Sequence, residues 1–70
     1  MAEIKYWQDT DVLDIELKKG KYKFSEEIAN GIILDISGDG DILSIEILDA
    51  MQRLAKPIAR RVAQHYALVK

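Results

Sequence analysis

The chain lacks cysteine altogether, and its 70 residues include a single histidine and a single proline. Without cysteine there is no disulfide and no thiol chemistry, and one histidine cannot build a structural zinc site. No apolar run reaches the roughly 18 residues that a membrane-spanning helix requires, and no secretory segment opens the chain. We therefore expect a cytoplasmic protein that has no membrane segment, no cofactor and no bound metal.

What is present is a small chain with a substantial apolar content. Apolar residues make up 49% of it and charged residues 31%, a composition too apolar for a disordered segment. A chain of 70 residues has a limited core and often needs a partner chain for stability. We predict a single domain over residues 1–70, with a sheet over 1–48 and a helix over 49–70.

Residues 35–46, with the sequence D-I-S-G-D-G-D-I-L-S-I-E, come close to a calcium-binding loop. In a helix–loop–helix site, oxygen ligands take alternate positions, a glycine takes the sixth and a bidentate acid the twelfth. Asp35 would stand at the first position, Gly40 at the sixth and Glu46 at the twelfth. Leu43 at the ninth position offers no side-chain oxygen, which weakens this interpretation.

The flanks of this segment favour a β-hairpin instead, since a calcium loop needs a helix on both sides. Residues 32–36 are rich in β-branched side chains, and residues 42–47 alternate apolar with polar, the period of a half-buried strand. The Gly-Asp-Gly between these runs tolerates the positive φ of a tight turn. A hairpin places the first and twelfth candidate ligands on opposite strands, so calcium binding at residues 35–46 is the disfavoured alternative.

Turn signals recur along the first two thirds of the chain, with short segments of two-residue periodicity between them. Such spacing is typical of an antiparallel β-meander. We predict an α+β fold in which about five strands precede the helix. The predicted strands cover residues 4–7, 12–17, 21–28, 32–36 and 41–47.

The last third of the chain changes to helical periodicity, with apolar residues at three- and four-residue steps. Asp49 is a favourable N-cap, and Gln52 completes a capping-box pattern. We expect one amphipathic helix that is kinked at Pro57. The alternative is a full break at Lys56, after which Pro57 starts a second helix. The apolar stripe consists of Met51, Leu54, Ala55, Ile58, Val62, His65, Tyr66 and Val69.

Charge is divided sharply between the two parts of the chain. All twelve acidic residues lie between Glu3 and Asp49, together with five lysines, which leaves seven net negative charges there. Residues 51–70 carry five cations and no acid. Three interpretations of this basic helix face are open. It is a solvated face whose cations favour the C-terminal end of the helix, a surface that binds an acidic protein surface, or a surface that binds nucleic-acid phosphates. The candidate partner-binding residues are Arg53, Lys56, Arg60 and Arg61.

No arrangement of residues indicates catalysis, so we expect no enzyme activity. His65 lies at the edge of the apolar stripe, and no pattern supplies it with an orienting and a reacting group. Trp7 is more typical of a core edge than of a binding platform. Apolar side chains on both faces of residues 32–47 exceed what one helix can cover. We therefore predict a homodimer, formed through the sheet face or through the helix.

Two parts of the chain are similar to a known family. Residues 6–17, Y-W-Q-D-T-D-V-L-D-I-E-L, resemble its opening "Y-D-x-x-A-D-x-L-Y-I-x-L". Residues 31–36 and 45–50, which end in I-E-I-L-D-A, resemble its core "G-V-I-x-D-Y-D…G-x-I-x-G-I-E-I-L-D-A". On these motifs the chain resembles the small prokaryotic family called domain of unknown function 2283, over about residues 4–54. Departures from the family pattern occur at Trp7, Thr10 and Asp14.

That family has no established activity, so the resemblance assigns no catalytic residue. Some members lie beside toxin-like genes, which implies an antitoxin-like partner role. Our hypothesis is a non-enzymatic, dimerising interaction module whose C-terminal helix contacts a protein partner. The alternative is a regulator that contacts nucleic acid through the basic helix face, and calcium binding is the third.

Overall fold

The computed structural model describes residues 2–68, which form a six-stranded sheet and two helices. Val69, the last member of the predicted apolar stripe, lies outside the described residues, as does Lys70. The strands are β1 (Glu3–Trp7), β2 (Val12–Glu16), β3 (Tyr22–Ala29), β4 (Ile32–Ser37), β5 (Ile42–Leu48) and β6 (Ala67–Leu68). The helices are α1 (Ala50–Arg53) and α2 (Lys56–His65).

The strands lie in the order β3-β4-β5-β2-β1-β6, and neighbours are antiparallel except for the parallel pair β1 and β6. The predicted α+β class, with an antiparallel sheet before the helical part, is confirmed. The order differs from chain order because β2 pairs with β5, so the connection over 17–21 passes two strands to reach β3. The backbone N–H groups of Leu17 and Lys18 donate to the Leu43 carbonyl at 2.8 and 3.1 Å and fix this connection.

Strand alternation gives the sheet an apolar face and a polar face. The register aligns Tyr6 with Leu13 and Leu13 with Ile47, so apolar side chains stand in a row across three strands. Tyr6 and Leu13 are buried together with Ala50 of α1 and Val62 of α2. The residues that pack against this cluster are Ile4, Ile15, Ile47, Met51, Leu54 and Ala67. The core cluster therefore lies between the helices and the β1–β2–β5 part of the sheet.

The helical part is broken, so the expectation of one kinked helix is wrong. The break lies at Leu54 and Ala55, and the second helix begins at Lys56, one residue before the start that the alternative gives. Leu54 adopts an extended conformation after α1, and Pro57 lies in the first turn of α2. Proline is tolerated there because the first-turn N–H groups have no partner within the helix. The break also changes which residues face the core. Ile58 is 55% exposed, whereas Ala59 and Val62 are buried.

Asp49 occupies the predicted N-cap position of α1, but its side chain does not cap the helix. Asp49 has φ of +54° and its side chain makes no capping hydrogen bond. Instead, the Asp11 carbonyl accepts the Ala50 N–H at 3.0 Å, and Oδ1 of Asp11 accepts the Met51 N–H at 3.1 Å. A residue from the β1–β2 turn therefore caps α1, because the sheet brings that turn beside the end of β5.

The strand β6 was not predicted, since the sequence indicated helix up to residue 70. Helix α2 ends at His65, and the chain then runs parallel to β1. The Tyr66 carbonyl accepts the Tyr6 N–H at 2.9 Å, and the Leu68 carbonyl accepts the Gln8 N–H at 2.8 Å. Among the described residues, no helix has the length and apolar character needed to cross a membrane.

Candidate interaction surfaces

The segment that resembles a calcium loop forms the predicted hairpin between β4 and β5, with Asp35 aligned with Ser44. At its tip, the Ser37 hydroxyl accepts the backbone N–H of Asp41 at 3.1 Å. The Asp41 carboxylate accepts a hydrogen bond from the Lys18 ammonium group at 2.8 Å. The Asp41 carboxylate thus joins the hairpin tip to the β2–β3 connection, and the first and twelfth positions of the calcium pattern lie on separate strands.

Asp35 lies on the polar face of the sheet, between two serine hydroxyls. Ser25 on β3 and Ser44 on β5 each donate a hydrogen bond to its carboxylate at 2.6 Å. Burial raises the pKa of Asp35, but side-chain hydrogen bonds with Ser25, Ser44 and Glu46 outweigh it and hold this pKa below its ordinary value. Asp35 therefore joins three neighbouring strands by hydrogen bonds that favour its charged form.

Like charges face one another elsewhere on the polar face. Glu3 is aligned with Glu16, and Asp14 is aligned with Glu46 on one side and Lys5 on the other. Oδ1 of Asp14 is buried and has no hydrogen-bond partner in the described part of the chain. Burial raises the pKa of Asp14, and nearby carboxylates raise it further, while Lys5 lowers it. Within residues 2–68, no group of three or more His, Cys, Asp or Glu side chains is arranged to hold a metal ion.

A buried tyrosine and a turn aspartate form the closest polar pair in the core. The Tyr6 hydroxyl donates to Oδ1 of Asp11 at 2.6 Å. Burial, followed by the hydrogen bond and the charge of Asp11, raises the pKa of Tyr6 to about 12. Tyr6 is therefore a permanent donor at neutral pH, and the same oxygen of Asp11 also accepts the Met51 N–H. This arrangement, which we call the Tyr6–Asp11 clamp, joins β1, the β1–β2 turn and α1.

The sequence interpretation missed this clamp, although both residues stand in the segment that resembles the family opening. One signal was available: an inward-facing tyrosine of a predicted strand needs a partner for its hydroxyl. Asp11 lies in the adjoining turn and was the nearest acid that a hairpin could bring back to Tyr6, five residues away. The contacts of the clamp are structural, since they satisfy buried polar groups and cap a helix.

The break between the helices divides the four candidate partner-binding residues. Lys56, Arg60 and Arg61 lie on α2 and are exposed. Arg53 lies on α1, and its guanidinium group covers the buried Gly31, where an added Cβ would lie 2.7 Å from Nη2 of Arg53. The structure therefore presents three cations together on one helix and places the fourth against the β3–β4 turn.

Trp7 and His65 lie in different surroundings. Trp7 is half-buried on β1 and is aligned with Val12. His65 is exposed in the last turn of α2. The two residues therefore belong to different elements, a strand and a helix.

The half of the sheet farthest from the core cluster keeps its apolar side chains exposed. All eight residues of β3 are exposed, and none belongs to the core cluster. Phe24 is aligned with Ile36 of β4, which in turn is aligned with Ile42. We call the exposed apolar residues of this region the open half of the sheet. Its members are Tyr22 (58% exposed), Phe24 (47%), Ile28 (56%) and Ile42 (43%).

Comparison with known proteins identifies the family and goes no further. No curated protein and no solved structure matches the chain. A family model matches residues 3–50, from the start of β1 to the first residue of α1, which leaves α2 and its three cations outside the match. The resemblance seen in the sequence is thereby confirmed, and since the match covers more than half of the chain, this chain belongs to the family described as protein of unknown function (DUF2283).

Proposed function

We propose that this chain is a non-enzymatic interaction module that forms a homodimer through the open half of its sheet and offers α2 to a protein partner. The observation that best supports the dimer is the exposure of three large apolar side chains on β3: Tyr22, Phe24 and Ile28. Monomeric proteins rarely expose contiguous apolar patches larger than roughly a few hundred Å², and a larger patch usually marks a binding site.

The energetics of a small domain favour such an interface. Burying one large apolar side chain contributes about 1.5–3 kcal/mol. The net stability of a whole domain is only about 5–15 kcal/mol, and small domains lie at the lower end. Phe24 and Ile28 are each about half exposed, so covering them with a second copy would add roughly 1 kcal/mol per side chain, a sizeable fraction of the net stability of a small domain.

Two isoleucines of almost equal exposure allow a matched test of the dimer surface. Ile28 on β3 is 56% exposed and Ile58 on α2 is 55% exposed. We expect sedimentation equilibrium to show a dimer for the unmodified chain, a monomer for Ile28→Lys and a dimer for Ile58→Lys. If only Ile58→Lys disrupts the dimer, the interface lies on the helices and not on β3. A chain that stays monomeric at all accessible concentrations would overturn the dimer.

The partner surface is proposed on α2. Lys56, Arg60 and Arg61 are exposed on this helix, which contains no acidic residue. Acidic residues dominate the polar face of the sheet instead, so α2 is a basic element that is separate from this acidic face. Such a charge distribution suits docking onto an acidic protein surface, including a toxin-like one, because opposite charges steer association.

Binding measurements with an acidic peptide and with generic duplex DNA distinguish this proposal from the nucleic-acid alternative. We expect an oligo-glutamate peptide to bind at low salt more tightly than DNA, and Arg60→Ala/Arg61→Ala to abolish this binding. Lys19→Ala/Lys21→Ala, which removes two exposed cations from the β2–β3 connection, is the matched control. DNA binding with a steep salt dependence that is lost in the arginine variant would favour the regulator instead.

A further inference from the structure

Strand β3 is the long edge of the described sheet. It spans eight residues, Tyr22–Ala29, pairs with β4, and has no second neighbour among the described strands. An edge strand leaves a row of backbone N–H and C=O groups unpaired, and these can hydrogen-bond to another strand. The opposite edge, β6, is only two residues long. Of the two described edges, β3 is therefore the one that can accept a strand over several residues.

Two irregularities limit where another strand can pair. The register of β3 against β4 shifts between Tyr22 and Phe24 and again between Glu27 and Ala29. Bulges of this kind disrupt the hydrogen-bond ladder and increase the local twist. Between them, residues 24–27 pair regularly with β4. A short regular segment favours pairing with one partner strand over the continuous addition of further copies.

A second copy of β3 is complementary to this edge when the strands run antiparallel. A two-fold axis perpendicular to the sheet keeps the same face of both copies on one side, so paired residues must share a face. With Ser25 opposite the partner's Ser25, Lys23 stands opposite the partner's Glu27. The same register places Phe24 opposite the partner's Glu26. By symmetry each pair occurs twice, and the two Lys23–Glu27 pairs are the favourable cross-strand combinations.

The neighbouring registers that preserve the faces are less favourable. A shift in one direction places Glu26 opposite the partner's Glu26, and like charges directly opposite are destabilising. A shift in the other direction places Phe24 opposite itself and Lys23 opposite the partner's Ser25, so the lysine of β3 no longer lies opposite an acid. In both registers Lys23 loses its position opposite an acid. The charges of the strand therefore select the register centred on Ser25.

We infer that two copies of this chain join their β3 strands antiparallel, with Ser25 beside the two-fold axis, and so form one continuous sheet. This inference rests on the proposed dimer and adds the edge and the register by which it forms. The Phe24 side chains of the two copies, each aligned with a buried Ile36, then lie on the same apolar surface of the joined sheet.

The absence of cysteine makes the register directly measurable, because a single introduced thiol can react only with its copy in the partner. The test compares oxidation of Phe24→Cys, Ser25→Cys and Glu26→Cys on a non-reducing gel. Lys19→Cys, exposed in the β2–β3 connection, is the control for random collision. We expect disulfide-linked dimer to form fastest in Ser25→Cys, by about tenfold or more over the control, since its copies lie closest together.

A charge-reversal cycle tests the register without any covalent bond. Lys23→Glu and Glu27→Lys should each weaken the dimer by about tenfold, because each places like charges opposite one another twice. The double variant should restore most of the affinity, with circular dichroism confirming that every variant is folded. Failure of the double variant to recover, or fastest cross-linking at Phe24→Cys or Glu26→Cys, overturns the register.

These outcomes also separate this inference from the proposed dimer. If the unmodified chain is dimeric but Ser25→Cys cross-links no faster than the Lys19→Cys control, the copies associate by another surface and the edge pairing is wrong. If the unmodified chain is monomeric at all accessible concentrations, the proposed dimer fails and the edge pairing fails with it.

Discussion

The two halves of the sheet differ in whether their apolar side chains are covered. On β1 and β2, the chain covers its own apolar face with α1 and α2, and the Tyr6–Asp11 clamp holds the first helix in place. On β3, the apolar side chains of Tyr22, Phe24 and Ile28 remain exposed. Within residues 2–68, the two helices therefore cover one half of the sheet and leave the other half open.

The largest contrast should appear when one apolar residue is truncated in each half. Leu13→Ala removes a side chain that is 4% exposed and should lower the free energy of unfolding by about 2–5 kcal/mol. Phe24→Ala, at a position 47% exposed, should lower it by about 1 kcal/mol or less under conditions where the protein is monomeric. Urea denaturation at low protein concentration measures both. Equal losses would show that β3 is as well packed as β2.

The next effect concerns the clamp, and two aspartates with almost the same backbone conformation provide the comparison. Asp11 has φ of +55° and Asp49 has φ of +54°, so glycine is tolerated at either position without strain. Asp11→Gly removes the acceptor of Tyr6 and Met51 and should cost about 2–3 kcal/mol.

Asp49→Gly removes a side chain that caps no helix, and it should change the stability by less than about 1 kcal/mol. Thermal unfolding followed by circular dichroism compares the two variants. A larger loss of stability in Asp49→Gly than in Asp11→Gly would show that the Asp49 side chain caps α1, and it would contradict the clamp.

A smaller change in stability tests whether Arg53 packs against the β3–β4 turn or is free to contact a partner. Gly31→Ala and Gly40→Ala both place alanine at positive φ, +79° and +87°, and each should cost about 1–2 kcal/mol. Only at Gly31 would the new Cβ meet the Arg53 guanidinium, whereas nothing lies within 4 Å at Gly40.

We expect Gly31→Ala to cost a few tenths of a kcal/mol more than Gly40→Ala, since the end of a long side chain can move aside. Adding Arg53→Ala should remove this excess in a double-mutant cycle. An excess that persists without the arginine would show that Arg53 does not cover this turn.

The parts of the fold that the sequence predicts well are those with local causes. The hairpin over residues 35–46 follows from the period of its two strands and from the glycines between them, all within a dozen residues. The five longer strands follow from the same signals. Their order does not, because the pairing of β2 with β5 depends on which surfaces meet after the hairpins form.

The failures all involve contacts between distant parts of the chain. Asp49 has the sequence of a cap, but the sheet brings Asp11 to the helix from 40 residues away along the chain. The apolar stripe keeps a plausible phase across Pro57, so nothing local distinguishes a kink from a break. Strand β6 has two residues and exists through its pairing with β1, which no periodicity can reveal.

The smallest effect distinguishes two acids on the polar face through their opposite pKa shifts. The pKa of Asp35 is lowered in the folded chain, so its stabilising contribution is present above the ordinary aspartate pKa of 3.8 and is lost as the pH falls through the lowered value. The pKa of Asp14 is raised, so its charged form destabilises the fold as the pH rises through the raised value.

Asp14→Asn should therefore raise the midpoint of thermal unfolding at neutral pH, and Asp35→Asn should lower it by a similar few degrees. Both differences should shrink in acid, where each carboxyl is protonated in the folded and unfolded chain alike. Because Asp35 bonds to Ser25 of β3, a dimer formed along that strand should enlarge the loss in Asp35→Asn as the protein concentration rises. Asp14, on β2, should show no such dependence. The same concentration dependence in both variants would place the dimer interface outside the β3 edge.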